Sequence, residues 1–77
     1  MEKDLQKSIY NNCKAFAKNL KFERESRGFS KKQMAELMNI KGQSYWAYEQ
    51  GVTLSTVENL LKICHILDIS LDELFEM

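Results

Sequence analysis

Apolar residues recur along this chain every three or four positions and nowhere alternate long enough for a strand, so the periodicity is helical. From Leu5 onward Leu5, Ile9, Cys13, Phe16 and Leu20 form one line. At about 100° per residue they fall within about 80° on a helical projection, which predicts a long amphipathic first helix. On another side Lys3, Lys7, Lys14, Lys18 and Lys21 gather into a basic stripe, most simply a solvated face. Arg24 and Arg27 project back onto the apolar side, where a cation needs a partner or a route to water.

Gly28 ends this first helix as a left-handed cap, and Ser30-Lys31-Lys32-Gln33 then has the form of a capping box. The second helix buries Met34, Ala35 and Met38 and stops where Asn39, Ile40, Lys41 and Gly42 predict a turn. Leu37 lies on its outer side. A third helix is expected over 43–50, with Tyr45, Tyr48 and Glu49 on one side and Gly51 closing it. A second box, Ser55-Thr56-Val57-Glu58, opens a fourth helix whose expected apolar set is Val57, Leu60, Leu61, Cys64 and Leu67. A third box, Ser70-Leu71-Asp72-Glu73, opens a short fifth helix carrying Leu74 and Phe75. Proline is absent. The fold class is all-α, a compact five-helix unit with an N-terminally extended first helix, and residues 1–77 form a single domain.

Length and composition narrow the function classes. Seventy-seven residues leave room for one small domain. A chain of this size buries only about 60% of the surface its unfolded form exposes, so partner subunits or good caps are expected contributors to stability. Eleven basic residues balance eleven acidic ones, which removes the crudest argument for nucleic-acid binding. The balance is a cancellation, however. Residues 1–51 hold ten Lys or Arg against six Asp or Glu, whereas residues 52–77 hold one against five.

Cys13 and Cys64 are too few for a disulfide framework and too far apart in sequence for a zinc knuckle. His65 neighbours Cys64, but adjacent helical positions point about 100° apart, so the two do not form a nucleophile–base pair. With three glycines there is no phosphate loop and no nucleophile elbow. No enzymatic activity, cofactor or metal is expected. Neither a secretory leader nor a membrane span is legible, and the expected location is the cytoplasm.

Two helices of about two turns joined by a tight turn at 39–42 have the spacing of a helix-turn-helix, whose second helix enters a DNA major groove. From Phe16 to Phe75 the chain resembles the phage-repressor and Cro type of helix-turn-helix domain, also called the xenobiotic-response-element type or lambda-repressor-like fold. The residues carrying the resemblance are Asn19-Leu20-Lys21-Phe22-Glu23-Arg24, Gly28 to Ala35, Tyr45 to Gly51, and Leu60 to Leu74. Residues 1–15 lie outside it and lengthen helix one.

The resemblance implies double-stranded DNA as partner and a role at each matching position. Arg24 and Glu49 match a structural ion pair tying helix one to the end of helix three. Ser30, Lys31 and Lys32 match the phosphate-facing start of helix two, where the helix N-terminus already attracts an anion. Lys41, in the turn before helix three, joins Lys31 and Lys32 as the lysines of the recognition region. Gly42, Gln43, Ser44, Trp46 and Ala47 match the outward face of the recognition helix, and Gln43 is the best base reader because its amide can donate to and accept from adenine at once. Gln50 and Thr53 extend toward phosphates beyond the helix end. Pairing into a homodimer is implied through the C-terminal helix, with Leu71, Leu74, Phe75 and Met77 as interface candidates and Leu5 and Ile9 as contributors.

The chain departs from the family at Gly42, Ala47 and the uncharged 51–55 loop, and Glu23 stands where relatives are usually apolar. Trp46 admits three readings: a contact to a thymine methyl or sugar, the anchor of a protein interface, or packing against the next turn. Two functions are therefore carried forward. One is a sequence-specific DNA-binding transcriptional regulator of phage or mobile-element repressor type. The alternative is a protein-interaction module on the same fold, such as an antirepressor or modulator of another repressor.

Overall fold

The computed structural model describes the backbone of residues 2–76 and side chains from residue 4. Over that range five helices follow one another: α1 (Glu2–Ser26), α2 (Lys31–Met38), α3 (Gly42–Gln50), α4 (Val57–Leu67) and α5 (Leu71–Leu74). No strand occurs among the described residues. At about 1.5 Å per residue α1 accounts for the longest dimension of a molecule measuring 39 × 22 × 19 Å.

The start and stop signals act largely where the sequence puts them. Ser30 accepts from the Gln33 N–H at 3.0 Å while Gln33 Oε1 accepts from the Ser30 N–H at 2.8 Å, so the first capping box is complete. The Ser70–Glu73 box likewise closes in both directions. The middle box does not form. Thr56, not Ser55, caps α4, and its hydroxyl accepts from the Asn59 N–H at 3.2 Å. The helix starts one residue later than expected, so Asn59 rather than Glu58 stands at the third position and the reciprocal bond is lost. Asn39 and Asp68 adopt left-handed caps at φ 57° and 54°, a conformation short polar side chains tolerate better than most. Gly51 closes α3 at φ 74° beside Ala17 and Cys13 of α1, so a side chain there would be strained by backbone conformation.

Every helix contributes to one core. Phe16 and Leu20 meet Met34, Ala35 and Met38, Tyr45 and Tyr48, Ile63 and Leu67, and Leu74. Phe75 stacks on Phe16 with ring centroids 5.4 Å apart. Each fully buried apolar side chain contributes about 1.5–3 kcal/mol of transfer free energy. α1 packs on α3 and α5, and α2 on α3 and α4. Asn19 fastens α5 to α1: its amide donates to the Leu74 and Glu76 carbonyls at 2.9 and 2.7 Å, supplying donors that the end of a four-residue helix lacks.

Three expectations about packing change. In α4 Ile63 and Leu67 are buried and Leu60 and Cys64 are half-buried against the core, while Val57 is 74% exposed and Leu61 50%. Apolar residues fill most of this helix, so projection alone leaves its rotation undetermined, and α2 settles it. Leu74 belongs to the chain's own core and has no surface to offer a dimer partner. Phe75 is half-buried against Phe16, Leu71 is partly exposed, and Met77 lies outside the described residues. Arg27 is not core-facing: it sits beyond the last turn of α1, exposed, and pairs with Glu23 at 2.6 Å. Leu5 and Ile9 remain exposed, because α5 covers α1 around Asn19 and leaves the N-terminal turns bare.

Candidate nucleic-acid interface

The inner face of α3 is fixed by a buried polar cluster. Arg24 Nε donates to Glu49 Oε2 at 2.6 Å and its NH2 group to Glu49 Oε1 at 3.1 Å. This is the two-pronged geometry a planar guanidinium favours. A third nitrogen of the same side chain donates to the Phe29 carbonyl at 2.8 Å. One arginine thus holds α1, the α1–α2 turn and the end of α3. The Tyr45 hydroxyl donates to Glu49 Oε2 from one turn earlier on α3. Hydrogen bonding to Glu49 raises the Arg24 pKa against the opposing effect of burial. Burial first, and then the bond to Glu49, push the Tyr45 hydroxyl well above its usual value. No buried side-chain nitrogen or oxygen is left without a partner among the described residues.

The outer face of α3 is chemically uncommitted. Gly42, Gln43, Ser44, Trp46 and Gln50 are exposed and Ala47 is half-buried. The helix carries no basic residue. Gln43, Ser44 and Ala47 line a shallow groove with Tyr48, Thr53, Leu54 and Thr56, which brings Thr53 of the loop beside the start of α3. Its hydroxyl donates to the Leu54 carbonyl at 3.1 Å and keeps acceptor capacity. Trp46 and Gln50 lie outside that groove, and Trp46 is 51% exposed. A methyl group added at Gly42 would meet nothing within 4 Å.

Positive charge comes from the segments that precede α3 in the chain. Lys31 and Lys32 are exposed on the first turn of α2, and Lys41 stands at the N-cap of α3, where no side chain caps the helix. Ser30 accepts from Gln33 N and retains its hydroxyl proton to donate. The first turns of both helices therefore present amide groups and lysines, the combination that attracts phosphate.

Two bonds that position this face were not anticipated. Asn59 Nδ2 donates to the Tyr48 hydroxyl at 3.0 Å, tying the back of α3 to the first turn of α4. Lys62 Nζ donates to the Met38 carbonyl at 2.9 Å, meeting the end of α2 where the helix dipole favours a cation. Neither has a local sequence signal, since each links segments that only the tertiary fold brings together. Burial, and secondarily Glu73, raise the Cys64 thiol pKa, so this thiol stays protonated at neutral pH. Among the described residues no group of His, Cys, Asp or Glu could hold a metal, and no helix is long and apolar enough to cross a membrane.

A short helix locked across a second one, with its outer face bare, is the architecture of a helix-turn-helix. The Helix-turn-helix family model matches residues 20–74, and the chain belongs to that family, of the phage-repressor and Cro type. It is 52% identical over 42 residues to the cryptic phage CTXphi transcriptional repressor RstR of Vibrio cholerae, an alignment covering 54% of this chain and 38% of that one. It is also 36% identical over 61 residues to the SPbeta prophage-derived uncharacterized HTH-type transcriptional regulator YonR of Bacillus subtilis, covering 79% of this chain and 56% of that protein. The uncharacterized regulator YqaE of the same organism is equally similar, with 79% and 53% covered. The chain thus spans between about a third and somewhat over half of the length of these relatives. No solved structure matches the chain significantly.

Proposed function

We propose that this chain is a sequence-specific DNA-binding transcriptional regulator of phage or mobile-element type, with α3 in the major groove and a homodimer on a short inverted repeat. The observation that carries the reading is the division of α3. Its inner face is anchored by the Arg24–Glu49 pair, and its outer face presents Gln43, Ser44, Trp46 and Gln50 to solvent, with exposed Lys31, Lys32 and Lys41 on the segments that precede it. In this reading Ser30, Lys31, Lys32 and Lys41 meet phosphates, and Gln50 and Thr53 meet the backbone beyond the helix. Gln43 reads a base edge, while Gly42, Ser44 and Ala47 let the helix approach closely. Trp46 contacts a thymine methyl or sugar. The regulator names of the relatives support the reading.

Selection from a random duplex library at low salt tests it. The expected result is an enriched inverted repeat whose affinity falls steeply with salt as counterions are released; the absence of any enriched sequence overturns it. A second reading rests on a specific observation: α3 bears no basic residue and exposes a tryptophan, the side chain most typical of protein hot spots. In that reading the chain is an interaction module that modulates another repressor. Trp46→Ala separates the two, since loss of a co-purifying protein with DNA binding intact favours the module.

A further inference from the structure

With Leu74 in the core and Phe75 half-buried against Phe16, the C-terminal helix has little apolar surface left to pair through, and α4 offers a broader one. Its outward line of Val57, Leu61 and His65 stands as an exposed ridge, with Val57 at 74% and Leu61 at 50% exposure. Beside the ridge runs a groove of about 400 Å³ lined by Leu37, Met38, Leu61 and Ile66 and bordered by Glu58, Lys62 and His65. Leu37, across the groove on α2, is 56% exposed. The apolar part of the ridge, Val57 and Leu61, therefore shares one face with the apolar lining of the groove, Leu37, Met38 and Ile66, and polar groups border both.

The charges on this face make it complementary to itself. Glu58 comes from the first turn of α4, and Lys62 and His65 follow one and two turns later on the groove side. Lys62 uses one of its three donors on Met38, and Glu58 makes no ion pair among the described residues. When two copies bring α4 together antiparallel, the acidic start of each helix meets the basic groups of the other. A parallel arrangement would set like against like. An isologous contact of this kind is what two-fold symmetry requires.

We propose that this face is the dimer interface. Two α4 helices pack antiparallel about a two-fold axis near Leu61. Val57 of each copy enters the groove beside Leu37 and Ile66 of the other, and Glu58 faces the other copy's Lys62 and His65. The inference rests on the homodimer of the preceding section but not on DNA, so it is tested on the full chain in the absence of DNA.

Sedimentation equilibrium gives the test. The unmodified chain is expected to dimerise at roughly micromolar concentration, as suits an interface at the small end of the range. Val57→Glu and Leu61→Glu are each expected to weaken it by about 100-fold or more, because each buries an unpaired charge; helical circular dichroism should be unchanged. Leu71→Glu should leave dimerisation as it was. Glu58→Lys and His65→Glu should each weaken self-association, and an equimolar mixture of these two variants should recover it as a heterodimer. Four results overturn the proposal: a chain monomeric at hundreds of micromolar, dimerisation indifferent to both Val57→Glu and Leu61→Glu, dissociation by Leu71→Glu instead, or a mixture no tighter than its components. The first of these also removes the homodimer itself but leaves selection of a DNA sequence unaffected.

Discussion

The two faces of α3 are nine residues seen from opposite sides, and they follow opposite rules. On the inner face Tyr45, Tyr48 and Glu49 are buried and each side chain is hydrogen-bonded, Glu49 to Arg24 of α1, Tyr48 to Asn59 of α4 and Tyr45 to Glu49 itself. On the outer face the side chains of Gln43, Ser44, Trp46 and Gln50 make no hydrogen bond among the described residues. The inner face specifies where the helix lies. The outer face is free to be chosen for whatever it touches. Substitutions on the first should therefore cost stability, and substitutions on the second should cost binding alone.

The strongest way to break this comparison is Glu49→Ala. It leaves the Arg24 guanidinium buried without its counter-charge and removes the acceptor of the Tyr45 hydroxyl. Such losses cost about 3–5 kcal/mol, a large share of what holds a small domain folded. Urea unfolding followed by circular dichroism should show the midpoint fall to near zero denaturant. A loss below about 1 kcal/mol, the scale of an exposed pair, would mean that the cluster does not anchor α3. Glu49→Gln, which keeps the shape and some of the hydrogen bonds, should fall between the variant and the parent.

Next in size is Gln43→Ala. If Gln43 reads a base edge, the variant should lose about 1–3 kcal/mol of discrimination at one position of the selected site, or roughly 5- to 150-fold in affinity. Its unfolding midpoint should match the parent, since surface changes usually stay within about 0.5 kcal/mol. Equal loss on all sequences would instead assign Gln43 to the phosphate backbone.

The sequence was informative where a local rule governs the outcome. The Ser30 and Ser70 boxes, the Gly28 and Gly51 turns and the buried edge of α2 are each set by residues a few positions apart, and each forms. The rotation of α4 was not legible, because eight of its eleven residues offer an apolar or small surface or a long aliphatic stem, and only packing against α2 selects Ile63. The fate of Leu74 and Phe75 was hidden for a related reason. An apolar pair at the end of a chain looks the same whether it covers its own core or another subunit's. Asn19 decides the matter from 55 residues away by clamping α5 onto α1.

A smaller effect sharpens the boundary between the faces. Tyr48 is buried on the inner side, yet it also lines the groove shared with Gln43 and Thr53. Tyr48→Phe removes the acceptor for Asn59, a bond worth about 1 kcal/mol in stability. If the bond only supports the fold, DNA affinity measured well below the unfolding transition should be unchanged. A parallel loss of affinity in Asn59→Ala and Tyr48→Phe would show instead that the 51–56 loop must be held for binding, and would move the boundary outward by one residue.

The smallest expected effect lies off α3, at Lys31. This lysine is exposed on the first turn of α2, and its removal touches no packed surface, so stability should stay within about 0.5 kcal/mol. A cation there also opposes the helix dipole, so Lys31→Ala can be marginally stabilising. The quantity to measure is the dependence of binding on salt. Each phosphate neutralised contributes about 0.9 to the slope of log affinity against log salt, so the variant's slope should be shallower by about that amount, alike for specific and unrelated duplexes. A slope unchanged in Lys31→Ala, Lys32→Ala and Lys41→Ala would leave the outer face of α3 without electrostatic support, and the balance would pass to the protein-interaction reading carried by Trp46.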